Sequence, residues 1–215
     1  AYCKENLLWH DPEEAPTARE LADRYVTRLA ELNTEVATTL GTHPGDDRVP
    51  DLSPDGQSAL DDLARAALTA LPGARIDGDD DRRCARLLRE RLEAGLAMSA
   101  SGEHLRAVRT ITGPHQRVRQ LFQLMPTVTA DDWATVARRM ARVPQAFDSW
   151  HGALAEGARR GLHAAPRQLA TVAAQLDEWL DSRWWHGFVA SSAPDGSALD
   201  ADLHRAADAA AEATA

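Results

Sequence analysis

The chain has 215 residues and a hydrophobic fraction of 44%, which suffices for a core of ordinary size. Its 24 basic and 33 acidic residues give a formal net charge of −9, which argues against non-specific binding to nucleic acid or to an anionic membrane. No apolar run approaches the roughly 18 residues of a membrane span, and the N-terminus shows no secretory signal. Cys3 and Cys84 are too few for a disulfide framework, so we expect a cytoplasmic protein. The net charge and the lack of a membrane span further lead us to expect no nucleic-acid or membrane partner.

The N-terminal part of the sequence predicts a lead-in followed by helices. Residues 1–16 carry prolines and acidic residues, and we expect them to be irregular. Thr17 and Glu20 have the spacing of a capping box, and apolar residues follow at helical spacing. Residues 17–215 are therefore predicted to form a single helical domain, which we interpret as the N-terminal half of a larger fold.

Two polar segments of the first half have alternative interpretations. Residues 41–53 are rich in glycine and proline and predict a loop. His43, Asp46 and Asp47 could bind a cation there, but a solvated polar loop is favoured. The acidic run Asp79–Asp81 precedes another apolar stripe, and the favourable interaction of carboxylates with a helix N-terminus explains it.

The longest apolar pattern runs from Thr129 to Gly161. Thr129 is a suitable N-cap and Gly161 a matching stop signal. Because Pro144 lies inside the pattern, we expect either a kink near residues 141–143 or two helices nearly in line, and the unbroken register favours one long Pro-kinked helix near 129–160. The stripe, which we expect to be core, consists of Trp133, Val136, Met140, Val143, Phe147, Trp150 and Leu154.

Aromatic residues concentrate towards the C-terminus, where another amphipathic helix is predicted to end. They could line a ligand pocket, plug a helix end, or form a surface that another part of the protein covers; packing or an interface is favoured. The final Ala-rich helix has no large apolar residue from Ala206 onwards and no stop signal, so we expect that its end frays or that the natural chain continues. The candidate ligand or partner surface consists of Trp179, Trp184, Trp185, His186, Phe188 and His151.

These patterns predict an all-α fold, an irregular antiparallel bundle of about seven or eight helices, with one weak extended candidate at residues 108–112. The sequence contains no nucleophile elbow, no phosphate-binding glycine loop and no His-Glu-x-x-His motif, so we predict neither catalytic nor metal-ligating residues. Arg138, Arg139 and Arg142 are interpreted as a solvated face or as ion pairs, in preference to an anion site.

A series of short motifs adds a family resemblance. Their order and spacing, across about residues 17 to 180, resemble the bacterial family known as domain of unknown function 885. The motifs are Gln116-x-x-Arg119-x-x-Phe122-x-Leu124-Met125-Pro126-Thr127, Asp132-Trp133, Val143-Pro144 and Glu156-Gly157-Ala158-Arg159-Arg160-Gly161-Leu162, preceded by Leu21-Ala22-Asp23-Arg24-Tyr25, Gly41 and Asp51-Leu52-Ser53-Pro54-Asp55-Gly56.

This resemblance carries expectations about function. Members of the family are all-helical, usually more than twice this length, and look like zinc metallopeptidases. Their His-Glu-x-x-His motif and accessory Glu lie in a C-terminal half that this chain does not match, so no family ligand or catalytic residue is placed here. The chain then resembles a non-catalytic N-terminal part, or split subunit, that forms a wall of the cleft for a peptide or small-molecule substrate. Zinc would belong to the C-terminal half or a partner subunit.

Two alternatives stay open. The first is a stand-alone helical binding or protein-interaction module without catalysis. The second is a metal-independent enzyme in which His151, His186 or His115 acts as acid or base.

Overall fold

A computed structural model describes residues 15–190 and 198–215 of the protein. The described part is all-α and contains no β-strand beyond one isolated bridge between Thr17 and Arg75, which confirms the predicted class. Residues 110–112, inside the weak extended candidate, form a turn. The described helices are α1 (Ala18–Leu32), α2 (Thr34–Leu40), α3 (Pro54–Ala70), α4 (Asp79–Ala100), α5 (Pro114–Leu124), α6 (Ala130–Met140), α7 (Val143–Arg159), α8 (Pro166–Asp181), α9 (Trp184–Ala190) and α10 (Ala198–Thr214), with short 3-10 turns at Leu71–Gly73 and Glu103–Arg106.

The chain divides into two compact units. Of the described residues, the first unit contains 15–33 and 55–103, and the second contains 34–54, 104–190 and 198–215. Of the predicted lead-in of residues 1–16, only residues 15 and 16 are described, and Cys3 lies outside the described residues. The single domain predicted for residues 17–215 stays a prediction.

The first unit is built from α1, α3 and α4. The predicted capping box is present: Thr17 Oγ1 accepts from the Glu20 N–H at 3.2 Å, and the Glu20 carboxylate accepts from the Thr17 N–H at 2.7 Å. These bonds satisfy helix N-terminal donors that would otherwise lack partners. The buried core of this unit consists of Leu21, Ala64, Ala67, Ala70, Leu71 and Leu92.

The acidic run at the start of α4 has two different roles. Asp79 and Asp80 are exposed and pair with arginines one turn later. Asp81 is fully buried and accepts from the Asp77 N–H and from Arg19 Nε, each at 2.9 Å. The hydrogen bond from the Asp77 N–H, together with Arg19, lowers the pKa of Asp81 and keeps it ionised.

The second unit contains the apolar stripe predicted for residues 129–161. The stripe is largely core as expected, but the favoured single kinked rod is corrected to two helices, α6 and α7. The helix leaves α-geometry at Ala141 and Arg142, where the Arg142 N–H bonds back only three residues, to Arg139. Pro144 explains the break, because it has no N–H to bond the preceding turn and is well placed at the start of a new helix.

The core of the second unit forms where α5, α6, α7, α9 and α10 meet. The Ala-rich helix α10 belongs to this core, because its small side chains are buried against larger ones. Its principal buried residues are Val118, Phe122, Trp133, Val136, Met140, Val143, Phe147, Trp185, Val189, Leu203, Ala206, Ala207 and Ala210.

Among the helices that the structure describes, none is both long enough and apolar enough to cross a membrane.

Candidate functional site

Four of the predicted aromatic residues form one cluster at the junction of α8 and α9. Ring centroids of Trp184 lie 4.8 Å from Trp185, 5.6 Å from Phe188 and 6.3 Å from Trp179. Arg119 of α5 places its guanidinium 4.7 Å from the Trp179 ring centroid and 5.5 Å from that of Trp184. A cation over indole faces is a favourable arrangement that holds α5 against this junction.

The aromatic cluster points largely inwards. Trp179 and Trp185 are buried, whereas Trp184 and Phe188 are partly exposed. The Trp185 ring packs edge-on against Phe122 at 5.4 Å, and its indole N–H donates to Thr214 Oγ1 at 3.0 Å. Packing, the interpretation favoured for these residues from the sequence, is therefore what the buried tryptophans do.

The two candidate histidines lie in different places. His186 on α9 has its Nε2 2.8 Å from an Asp208 carboxylate oxygen of α10. His151 on α7 is exposed and lines a mostly apolar pocket of about 200 Å³ with Trp150 and Leu176. The candidate surface therefore consists of one aromatic cluster, a histidine paired beside it, and a histidine at a separate pocket.

His115, the third histidine considered as an acid or base, is fully buried. Its ring lies 5.7 Å from that of Trp150 and 5.5 Å from that of Trp179, and its Nε2 is 3.3 Å from the Gln175 side-chain oxygen. Burial lowers the pKa of His115, helped by the nearby Arg119 charge, although the Gln175 hydrogen bond acts in the opposite direction. A neutral, sealed imidazole is a structural group, because no substrate atom can reach it.

A pocket of about 220 Å³ in the second unit was not predicted. It lies between α2, the loop that follows it, the end of α5 and one face of α6. Three of these segments carry motifs of the family resemblance, at Gly41, at Leu124-Met125-Pro126 and at Asp132. The pocket is lined by Ala37, Thr38, Gly41, His43, Pro44, Gly45, Asp46, Leu124, Met125, Pro126, Asp132, Thr135 and Arg139.

Arg139 is the charged residue that distinguishes this pocket. Its side chain is only 1% exposed, which overturns the solvated-face interpretation for this position. One Nη atom donates to Thr38 Oγ1 at 3.0 Å, the other lies 3.8 Å from Asp46 Oδ2, and the buried Nε has no hydrogen-bond partner. Burial lowers the pKa of Arg139, opposed by the charges of Asp46 and Asp47, but a guanidinium remains charged in proteins.

The neighbouring charges form ion pairs around this arginine. Asp46 accepts from Arg48 through Nε at 2.9 Å and Nη2 at 2.8 Å. Burial raises the pKa of Asp46, but the Arg48 hydrogen bonds and the charges of Arg48 and Arg139 outweigh it and hold the pKa below its usual value. Asp47 pairs with Arg138 at 3.0 Å and with Arg142 at 2.9 Å, as the ion-pair interpretation predicted.

Two further polar groups of the pocket, Asp132 and Thr135, are fixed by hydrogen bonds to the backbone. The Asp132 carboxylate accepts from the Val128 and Thr129 N–H groups at 3.1 and 2.8 Å, while Thr129 Oγ1 caps α6 as predicted. These amide bonds lower the pKa of Asp132, Thr129 being the largest contributor. Thr135 donates to the Asp131 carbonyl. The pocket wall is therefore held by α6 itself.

Within residues 15–190 and 198–215, no group of three or more His, Cys, Asp or Glu side chains is arranged to hold a metal ion. His43 lies beside Thr42, with its Nδ1 3.0 Å from the hydroxyl, and Asp46 is occupied by Arg48. This loop is therefore organised by arginine pairs.

The fold and the pocket define the class of the protein as an all-α protein with a small, arginine-containing cavity. The chain belongs to the family described as bacterial protein of unknown function (DUF885), whose model matches residues 35–215. A comparison with curated proteins finds no match.

Proposed function

We propose that this chain is the non-catalytic helical part of a zinc-metallopeptidase-like protein, and that the pocket beside Arg139 forms part of the wall of its substrate cleft. The observation that carries the proposal is the lining of the pocket. Segments distant in sequence, which carry the family motifs at Gly41, Leu124-Met125-Pro126 and Asp132, converge on one cavity that contains a buried charge. Cavities with an apolar lining and few fixed polar groups are typical of ligand sites.

In this proposal the chain binds and orients a substrate. The zinc chemistry that the family resemblance implies belongs to a C-terminal half or to a partner subunit, and the substrate is a peptide or a small molecule. The arrangement of the pocket supports such a role, because its charged and polar groups are held by capping bonds and ion pairs and need little reorganisation on binding.

The stand-alone binding module is the second candidate. It is favoured by the burial of Trp179 and Trp185 inside the chain's own core. Tryptophans reserved for a partner subunit would be expected on an exposed apolar patch.

A pair of substitutions at the pocket tests the proposal. Leu124 lines the pocket and is 45% exposed, so Leu124→Trp fills the cavity from its rim without disturbing the core. Val128 is 91% exposed and lies outside the lining, so Val128→Trp is the matched control. The native protein, purified through a tag on its own gene, is assayed for peptide hydrolysis, bound zinc and subunit composition.

We expect zinc-dependent hydrolysis, with Leu124→Trp lowering kcat/KM by about tenfold, mainly through KM, and Val128→Trp leaving it unchanged. A zinc-free protein that binds peptides without hydrolysing them, and loses that binding in Leu124→Trp, would support the stand-alone module instead. Equal behaviour of the two variants would refute the pocket's role in both.

A further inference from the structure

The Arg139 guanidinium has unused hydrogen-bonding capacity at a buried position. Of its donor atoms, one Nη reaches Thr38 Oγ1, the other is 3.8 Å from the nearest Asp46 oxygen, and Nε has no partner. A distance of 3.8 Å is beyond that of a hydrogen bond. Buried donors without partners are costly, and charged ones especially so, because desolvation is not repaid.

The neighbouring carboxylates do not supply the missing partners. Asp46 is engaged by Arg48 through two side-chain bonds and one backbone bond, and Asp47 is shared by Arg138 and Arg142. Both carboxylates near Arg139 are therefore already engaged by other arginines. The Asp132 carboxylate accepts the N–H groups of Val128 and Thr129, both through Oδ2, and no hydrogen bond joins it to Arg139.

The shape of the pocket limits the size of what binds there. At about 220 Å³ it is smaller than the roughly 300 Å³ at which sites for drug-sized ligands begin. Apolar atoms of Ala37, Leu124, Met125 and Pro126 line much of it. The cavity therefore suits a small molecule, or the end of a longer one, with a compact apolar body.

We propose that this pocket binds a carboxylate group carried on a short apolar body, with Arg139 as the residue that recognises the carboxylate. A planar guanidinium matches a carboxylate or a phosphate, because it can donate two parallel N–H···O bonds to either. A singly charged carboxylate is favoured over phosphate, because Asp46 and Asp132 also line the pocket and repel a dianion more strongly. The inference rests on the proposed function only in treating this cavity as a ligand site.

The test compares ligands that differ only in the carboxylate. N-acetyl-leucine and its neutral amide, and a short peptide ending in leucine as free acid and as C-terminal amide, are titrated into the purified full-length chain by calorimetry. Inorganic phosphate is the competing oxyanion. We expect each acid to bind at least about tenfold more tightly than its amide, and phosphate not to displace it.

Variants assign the effect to Arg139. Arg139→Gln is expected to abolish the preference for acid over amide, and Arg139→Lys to retain only part of it, because an ammonium lacks the planar fork. Arg142→Gln, which removes the same charge from a more exposed position paired with Asp47, is the control and is expected to keep the preference. Circular dichroism establishes which variants fold. If Arg139→Gln does not, the acid-to-amide ratio in the unmodified protein and in Arg139→Lys decides.

The outcomes separate this inference from the proposed function. Equal binding of acid and amide, abolished by Leu124→Trp, would overturn the carboxylate inference while the cleft-wall proposal stands. Displacement by phosphate at similar concentration would also overturn it, in favour of a general oxyanion site. If neither the acids nor the amides bind, the carboxylate inference fails, whereas the cleft-wall proposal is decided by the comparison of Leu124→Trp with Val128→Trp. Binding of the peptide acid alone identifies a chain terminus as the source of the carboxylate, whereas binding of N-acetyl-leucine alone identifies a free acid; either supports the inference.

Discussion

Gly157 lies where the backbone of α7 passes directly against Leu105, and replacing it with alanine tests the packing of the second unit. A Cβ at Gly157 would lie 2.1 Å from the Leu105 carbonyl oxygen and 3.1 Å from the Leu105 Cβ. Real Cβ atoms essentially never approach a neighbour closer than 3.0 Å, so the two backbones would have to separate by about 0.9 Å. Glycine is required here because of this close approach.

The expected change in the free energy of unfolding of Gly157→Ala follows from two opposing effects. Exchanging glycine for alanine inside a helix gains up to about 1 kcal/mol, because glycine loses more backbone entropy on folding. Overpacking a core costs about 1–3 kcal/mol, and a contact with backbone at a buried position belongs at the upper end. We therefore expect Gly157→Ala to destabilise the protein by about 1–2 kcal/mol. Gly152 lies in the same helix, exposed and with no neighbouring atom within 4 Å of the position that a Cβ would occupy, so Gly152→Ala should stabilise the protein by up to about 1 kcal/mol.

Guanidinium chloride unfolding, followed by tryptophan fluorescence, measures both effects. Five of the six tryptophans lie in the second unit, at positions 133, 150, 179, 184 and 185, so the signal reports on the unit that contains both glycines. Midpoint shifts at an unchanged m-value give the change in the free energy of unfolding. A Gly157→Ala variant as stable as the unmodified protein, or stabilised as much as Gly152→Ala, would refute the reasoning.

Two further predictions use the same unfolding curves. Because burial lowers the pKa of His115, the unfolded state binds a proton before the folded state does as the pH falls through about 6.5. The free energy of unfolding should therefore decline below that pH by at most about 1.4 kcal/mol per pH unit, and level off below the pKa of the folded state. His115→Phe should remove this pH-dependent component, and an unchanged pH profile in that variant would contradict the prediction. Thr214→Val leaves the buried Trp185 indole N–H without its acceptor and should cost about 1–3 kcal/mol, whereas Thr214→Ser should be nearly neutral; equal stabilities would contradict this reasoning.

Features set by neighbouring residues could be predicted from the sequence. The capping groups at Thr17 and Thr129 and the stop at Gly161 depend on residues within one helical turn, so their spacing is visible in the chain. At the end of α7, the Leu162 N–H bonds to the Gly157 carbonyl and the Gly161 N–H to that of Ala158, with Gly161 at φ +73°. Local hydrogen bonding decides such features, and tertiary contacts did not alter them.

The burial of Arg139 could not be predicted in this way. Arg138, Arg139 and Arg142 have the same side chain and flank the same apolar stripe. What separates them is distant in sequence: Arg139 bonds to Thr38, 101 residues away, whereas Arg138 and Arg142 pair with Asp47. The apolar pattern of a single helix cannot show which of the three arginines will be covered by α2 and the loop that follows it.

The Ala-rich α10 shows the same limit for an apolar surface. Large apolar side chains at helical spacing indicate a core helix, and α10 has no large apolar side chain from Ala206 onwards. Ala206, Ala207 and Ala210 are nevertheless buried, because small residues allow the backbones of neighbouring helices to approach while Trp133 and Trp185 supply the volume. Complementarity between small and large residues on different helices is a property of the pair, and neither sequence segment shows it alone.

The residues behind the family resemblance can now be separated by what they contact. Gly157 is explained by its approach to Leu105, and Arg119 by its position over Trp179 and Trp184. Packing accounts for these positions without any ligand. Leu124, which lines the Arg139 pocket, is different, because its side chain is 45% exposed and lies outside the core, although its neighbour Met125 is buried in the core. If the motif residues that line the pocket share a role in binding, a substitution at the rim of the pocket should alter ligand affinity and leave stability nearly unchanged, whereas a substitution at Gly157 should do the reverse.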